Sequence, residues 1–381
     1  MNIVYVYGRD WPGEKAGISF STYTGYGIAE SDKKNNIEMI FAKNTKKDPE
    51  EVLSDYFSLD PISNFNINLL DNSTFFSETT KFYFQALKKI IELNKNKKID
   101  AIITRTVKFL PFLFLLKKLY GLNIFFEAHS FYLDPDLKQE YDRKKEYIYQ
   151  KLFLPSFDGI ICHQSQIKNL YQKYIPESNY ATITYGIRTL ERVNDIWENQ
   201  YIGYVGSLYE NKGVEDLFKA FKKIEYPGLK LLIIGGRDKR IARFENLARN
   251  LNIEDRVEIT GWVDRGKVDD YLKKVKIGVV PVRDTFHGRY LTCPTKIFNY
   301  FSHGIPVVGS DLPTVKEVVT DKCGLFYKDG NIDDLTKKIN KLLDSKELFY
   351  NCSDNIMEIA KNLYFKNRGK KFIDFIESVS N

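Results

Sequence analysis

Short apolar runs alternate with runs of helical period along almost the whole chain, and that alternation restricts the fold more than any other feature. Strands are expected at residues 2–7, 37–42, 66–70, 99–104, 123–129, 158–163 and 180–185, with helices at 18–29, 79–93, 111–120, 141–154 and 165–174 between them. In 79–93, Phe82, Phe84, Leu87, Ile90 and Ile91 recur at helical intervals, which is the pattern of a half-buried helix. Parallel strands need such crossovers, so the first half reads as α/β with a mostly parallel sheet. The polar stretch 43–59 stays unassigned.

The alternation pauses at 188–200, which is polar and without an apolar period, and then restarts. Strands are expected at 201–208, 230–236, 257–262, 277–282 and 323–327, and helices at 214–224, 241–251, 268–273 and 332–343. At 381 residues the chain is long for one core and comfortable for two. The expected fold is therefore α/β with two Rossmann-like doubly wound domains, 1–190 and 200–364, whose strand ends face a central cleft. Apolar-periodic runs at 355–364 and 369–379 exceed what the second domain needs, so a C-terminal helix of about 365–381 is expected to pack back on the first.

Composition narrows the class. Hydrophobic residues at 43% against 28% charged predict a packed, globular chain. A net charge of +7 is a mild basic bias, which argues against nucleic acid as a partner and suits either a solvated lysine-rich surface or anionic lipid and phosphate groups. The four cysteines, Cys162, Cys293, Cys323 and Cys352, show no metal-ligand or disulfide spacing, so neither a zinc site nor a disulfide framework is expected and a reducing compartment is. The first residues enter a strand directly, without a signal-peptide pattern, and no apolar run reaches the roughly 18 residues that span a bilayer. Cytoplasmic placement is the expectation. The apolar run 109–116, followed by Lys117 and Lys118, reads as a buried helix, with peripheral contact at the inner membrane face as the alternative.

One stretch concentrates the chemistry. Residues 291–311 read as a short helix that feeds a buried strand from Pro306 onward, with Pro294 in the first turn and Gly304 as the stop. Thr292, Thr295 and Lys296 would bring hydroxyls and a cation to the free amides of a helix start, a combination suited to a phosphate.

In the second half the order of features is Val205-Gly206-Ser207-Leu208, Lys212-Gly213, Ile234-Gly235-Gly236, Gly261-Trp262-Val263, Pro281, Pro294-Thr295-Lys296 and Gly304-Ile305-Pro306-Val307-Val308. That order resembles the GT-B glycosyltransferases, in particular the retaining glycosyltransferase family 4 (glycosyl transferases group 1). In the first half, Glu127-Ala128-His129, the run from Asp158 to Ser165, and Thr184-Tyr185-Gly186-Ile187 resemble the acceptor domain of the same family.

The resemblance implies roles. Lys212 would neutralise the donor diphosphate, against the plainer reading of an exposed helix-start lysine. Gly206, Ser207 and Gly236 would admit the phosphates to the backbone. Gly261, Trp262 and Val263 would hold the base, unless Trp262 is core. Pro294, Thr295, Lys296 and Asn299 would line the phosphate and ribose. The family often has Arg where Ser207 stands, so compensation is expected from Arg283, Arg289 or Lys296, of which Lys296 is best placed. Asn299 and Leu291 stand where the resemblance puts glutamates; Asn keeps one carbonyl acceptor for a ribose hydroxyl without the charge. His129 would hydrogen-bond the transferred sugar or assist proton movement, or else is a structural histidine. Arg105, at a strand end, would hold an anionic acceptor or a lipid phosphate, or else lies on the surface. His163 and His287 have no partner at ligand spacing, and His303 reads as a helix-end dipole partner. Asp134-Pro135-Asp136 reads as a turn.

These implications add up to a retaining enzyme that needs neither an obligatory metal nor a cofactor and moves a sugar from a UDP- or GDP-sugar substrate to a glycan or lipid-linked acceptor, in cell-surface polysaccharide or glycoconjugate synthesis. A same-fold sugar-nucleotide epimerase and an inactive nucleotide-sugar or glycan-binding subunit remain the alternatives.

Overall fold

The computed structural model describes residues 1–71, 78–134 and 143–380. Residues 135 and 136, and with them the acidic turn expected there, lie outside that range, as does the expected helix start at 141. The chain divides into two compact units, Met1–Tyr185 with Phe365–Asn381, and Gly186–Tyr364.

Unit 1 holds a seven-stranded parallel sheet in the order β3-β2-β1-β4-β5-β6-β7. The strands are β1 (Asn2–Trp11), β2 (Asn36–Lys43), β3 (Phe65–Leu70), β4 (Ala101–Thr104), β5 (Ile124–Ala128), β6 (Gly159–Cys162) and β7 (Tyr180–Thr182). Every residue of β4, β5 and β6 is buried, as expected of parallel strands covered on both faces. The covering helices are α1 (Ala16–Ser31), α2 (Pro49–Phe57), α3 (Glu78–Asn96), α4 (Leu110–Tyr120), α5 (Lys144–Phe153) and α6 (Ser165–Tyr174).

Helix α2 falls in the stretch that composition left unassigned. Its signals are local: Asp48 accepts a hydrogen bond from the Glu50 amide at 2.8 Å, Pro49 occupies the first turn, and Val52, Leu53 and Phe57 are its buried residues. Helix α1 is buried nearly all round although it contains Ser21, Thr22 and Thr24, because each hydroxyl donates to a carbonyl one turn back, on Gly17, Ile18 and Phe20.

Unit 2 holds a six-stranded parallel sheet in the order β10-β9-β8-β11-β12-β13. Its strands are β8 (Tyr201–Val205), β9 (Lys230–Ile234), β10 (Val257–Ile259), β11 (Val275–Val280), β12 (Val307–Ser310) and β13 (Gly324–Tyr327). The helices are α7 (Val214–Lys222), α8 (Asp238–Leu251), α9 (Arg265–Leu272), α10 (Lys296–Phe301), α11 (Pro313–Lys316), α12 (Ile332–Leu343) and α13 (Lys346–Ala360); the last helix, α14 (Phe365–Ser380), belongs to unit 1. The polar stretch 188–200 belongs to unit 2. It wraps the surface of unit 2, with Arg188 paired to Asp269 at 3.3 Å, Ile196 buried, and the Asn199 amide donating to the carbonyls of Lys273 and Val275.

In each sheet the strand order reverses once, between β1 and β4 in unit 1 and between β8 and β11 in unit 2. The carboxyl edge beside such a reversal is where an open parallel sheet leaves a crevice for a ligand.

Candidate functional site

At the carboxyl edge of unit 2 several strands end sooner than their apolar runs suggest, and glycines explain the early stop. Gly206 (φ 131°), Gly235 (φ 121°), Gly236 (φ 110°) and Gly261 (φ 70°) all occupy backbone regions that side chains disfavour. The Gly206 amide donates to the Ile234 carbonyl at 2.9 Å, and a Cβ on Gly235 would come within 2.6 Å of the Gly206 carbonyl oxygen. The loops after β8 and β9 therefore lie backbone against backbone. The Ser207 carbonyl accepts from the Tyr204 hydroxyl at 2.8 Å.

Two lysines converge on this glycine turn. Lys212 closes a single 3-10 turn, Glu210–Lys212, that leads through left-handed Gly213 (φ 65°) into α7. A Cβ on Gly213 would sit 2.1 Å from the Pro281 carbonyl, so only glycine lets this loop pass the end of β11. Lys296 opens α10, with its ammonium 4.6 Å over the Tyr204 ring and 3.8 Å from where a Gly206 Cβ would be. Burial lowers the pKa of Lys212. Burial and then the charge of Lys212 bring Lys296 down to about 7. Among the described residues neither lysine has an ion-pair partner, and two buried cations, one lowering the pKa of the other, with no carboxylate paired to either form a site for an anion.

The other candidate cations are occupied. Arg283 pairs with Asp216 and with Asp329 at 3.2 Å, and Arg289 is engaged by both carboxylate oxygens of Asp284. Of the three, Lys296 is the one without an ion-pair partner among the described residues.

His287, which the sequence left without a role, lies in one π-helical turn, His287–Leu291. Its pKa is lowered by burial and by the neighbouring Lys212 charge, so it is neutral at pH 7. Lys212 comes from a distant part of the chain, and no local spacing could reveal the pair.

The helix start differs from the expected one. The amides of Ile297 and Phe298 donate to the carbonyls of Pro294 and Thr295 at 2.9 and 3.2 Å, and Thr292 is buried with its amide on the His287 carbonyl. The row of free amides foreseen around Thr292, Thr295 and Lys296 is shortened accordingly. Pro294 is buried, and Thr295 makes no side-chain cap bond. The Asn299 carbonyl accepts from Ser302, and its side-chain amide has no protein partner among the described residues. Trp262 is 46% exposed, which excludes a core role, and Val263 beside it is half-buried.

Unit 1 gathers a second cluster at its own carboxyl edge. Glu127 on β5 is buried and accepts from Arg368 of α14 at 2.6 Å and from the Tyr5 hydroxyl. Burial by itself would raise its pKa, but the contact with His129 and the charges of Arg368 and Arg105 outweigh it and hold the carboxyl well below the usual carboxylate range. His129, just past β5, has its Nδ1 2.8 Å from the Tyr185 hydroxyl and its Nε2 3.3 Å from Glu127 without hydrogen-bond geometry. Burial and then the Arg105 charge lower its pKa to about 3, so the imidazole is neutral at pH 7. The Glu127 carboxylate favours a proton on Nε2, which leaves Nδ1 to accept from Tyr185; this tautomer follows from the network.

Arg105 is no surface arginine. It donates to the Gly17 carbonyl and the Ser21 hydroxyl at 3.0 Å each and lies 4.8 Å over the Tyr7 ring. His163 stacks on His129 at 5.3 Å with its Nδ1 3.0 Å from the Ala128 carbonyl, and His303 is buried with its Nδ1 3.1 Å from the Asn299 carbonyl. Arg368 and Tyr5 were missed, and Tyr185 was seen only as part of the run from Thr184 to Ile187, because nothing near them in sequence announces Glu127 and His129.

Residues 188–358 match the family model of the glycosyl transferases group 1. The matched stretch spans most of the second unit. Beyond it, an uncharacterized glycosyltransferase of Haemophilus influenzae is 27% identical over 283 residues, covering 72% of this chain and 75% of that one. The sucrose-phosphate synthase of Thermosynechococcus elongatus superposes with a TM-score of 0.77 at 17% identity, over 99% of this chain and 98% of its own. Anabaena HepE in complex with UDP superposes at 0.74 and 14% identity, over 99% and 100%. The two-unit α/β architecture is that of the GT-B glycosyltransferases. Among the described residues no three His, Cys, Asp or Glu side chains gather as a metal set.

Proposed function

We propose that the chain is a retaining glycosyltransferase that takes a UDP- or GDP-sugar in unit 2 and an acceptor hydroxyl, on a glycan or a lipid-linked carrier, in unit 1. The observation that carries this reading is Lys296 beside Gly206 at the strand reversal of unit 2, with the Lys212 charge near enough to lower its pKa. When the bond between the anomeric carbon and the diphosphate oxygen breaks, its electron pair stays on the diphosphate. Two lysines held without carboxylates stabilise that developing charge more than they stabilise the intact donor. The acceptor oxygen forms the new bond to the same carbon and its proton is released. In this reading Lys212 and Lys296 do the neutralising without an obligatory metal, Gly206, Ser207 and Gly236 admit the phosphates, Gly261, Trp262 and Val263 carry the base, and the Asn299 amide meets the ribose. His129, neutral and with an unsatisfied Nε2, is the hydrogen-bonding group of unit 1.

Support comes from the group 1 match of residues 188–358. HepE, of like fold, has been obtained with UDP and with UDP-glucose. The test is nucleotide release from a panel of UDP- and GDP-sugars in the presence of a chelator. Wild type is expected to turn over at least one donor, and Lys212→Ala to lose about 10²-fold or more, the scale of one transition-state charge contact. Equal release by both proteins would remove Lys212 from the chemistry. Asn299 and Leu291 favour a second reading, a binding subunit; calorimetric nucleotide binding with no turnover of any donor would select it.

A further inference from the structure

Large apolar side chains stand exposed in one region of unit 1 far more than elsewhere. Of the eight such residues among those described, six (Phe84, Leu115, Leu119, Tyr120, Ile148 and Leu152) lie on α3, α4 and α5. On α4, Leu110, Leu113 and Leu116 face the core, whereas Leu115 and Leu119, one turn apart, are 52% and 67% exposed. On α5, Ile148 and Leu152 repeat the interval at 46% and 61%. Ring contacts join the three helices, Phe84 to Phe112 at 5.5 Å and Phe114 to Phe153 at 5.4 Å. The exposed groups therefore form one surface, and a contiguous apolar patch of this kind marks a contact site.

The charges around it specify the partner. Helix α4 carries no acid; its Lys118 lies 5.6 Å over the Phe114 ring, while Lys117 is neutralised by Asp158 at 2.6 Å. The one acid of α5, Glu146, is buried against Arg143 at 3.3 Å, whereas Lys144, Lys145 and Lys151 stand exposed on the same face as Ile148 and Leu152. Protein interfaces deplete lysine, so exposed lysines framing leucines on α4 and α5, whose one acid is turned inward, fit a lipid headgroup layer better than a protein partner; on α3 the exposed Glu92 is paired with Lys89 at 3.2 Å. We propose that unit 1 docks through α3, α4 and α5 on an anionic phospholipid surface, with Leu115, Leu119, Ile148 and Leu152 in the acyl boundary and the lysines on the phosphates. No helix among the described residues is long and apolar enough to cross a membrane, and the contact is a peripheral one. The inference goes beyond the donor chemistry and rests on no part of it.

Flotation of the full chain with vesicles of phosphatidylcholine alone, or mixed with phosphatidylglycerol, tests this directly. Wild type should float with the mixed vesicles only, and less so as salt is raised. The triple variant Lys144→Gln, Lys145→Gln, Lys151→Gln should bind roughly a hundredfold more weakly, since each lysine at an anionic surface contributes about a factor of five. Leu115→Ser with Leu119→Ser should abolish flotation. Both variants should keep the wild-type circular dichroism and nucleotide release, because the altered side chains are exposed and outside the proposed donor site. Failure of wild type to float, or flotation of both variants as wild type, overturns the proposal. So does sedimentation showing a wild-type dimer that the leucine variant dissociates without any lipid binding; that face would then be a protein interface. Each variant alters a different chemistry, so a folding defect in one leaves the other decisive.

Discussion

Lys296 shows how far a single residue could be read from sequence. Its place at a helix start made it a phosphate candidate, and the structure sets it beside Gly206 as that reading requires. Its protonation was not readable, because the two causes, burial and the charge of Lys212, arrive through tertiary packing. A lysine with a pKa near 7 is only part-charged at neutral pH. A diphosphate favours the ammonium, so the pKa must rise in the complex and binding must take up protons. The sign follows: affinity is highest below pH 7 and falls as pH rises through the interval between the free and bound pKa values. Calorimetry of UDP or GDP binding near pH 7.5, in buffers of different ionisation enthalpy, should show a buffer-dependent heat corresponding to a fraction of a proton. Lys296→Arg should bind without it, because guanidinium stays charged. A buffer-independent heat for wild type would mean that Lys296 does not meet the ligand. Asn299 marks the opposite limit: its identity is plain in sequence, but whether an amide suffices where the resemblance puts an acid depends on the ligand.

The elements were largely legible because each strand and helix carries its own period. The errors cluster at strand ends, where an apolar run continues past the last hydrogen-bonded residue into a glycine turn, as after Val205, Ile234 and Ile259. What local pattern did not reveal is which helix meets which. Helix α1 has a buried face on almost every side, so its sequence does not point to one partner; the structure sets α14 against it. The contact is made by glycines. A Cβ on Gly369 would come within 2.2 Å of the Gly27 carbonyl oxygen, and one on Gly27 within 2.2 Å of the Phe365 carbonyl oxygen. These atoms are backbone and cannot swing aside, so a larger residue must push the helices apart. Gly369→Leu is expected to destabilise unit 1 by about 1–3 kcal/mol, the usual penalty of overpacking. Urea denaturation followed by unit 1 tyrosine fluorescence or far-UV signal would measure it; an unchanged midpoint would mean that the helices do not approach so closely.

At the scale of the whole molecule, unit 1 is assembled from two separated pieces of chain, 1–185 and 365–381. The surplus of apolar-periodic residues near the C-terminus was visible in sequence. Its electrostatic consequence was not, since Arg368 becomes meaningful only beside Glu127. That arginine is buried and donates to Glu127, to Thr24 at 3.1 Å and to the carbonyls of Ile183 and Thr184, so it ties β5, α1 and the segment after β7 together. Removing one partner of a buried pair leaves an uncompensated charge, at a cost of about 3–5 kcal/mol. Arg368→Met should lower the stability of unit 1 by roughly that amount. A chain ending at Tyr364 loses the arginine together with the buried Phe365, Phe372 and Ile376. Limited proteolysis of this shortened chain should degrade residues 1–185 and leave a resistant fragment spanning about 186–364, because that unit keeps all its strands and helices. Identical proteolysis of the shortened and full chains would show that unit 1 does not depend on its returning helix.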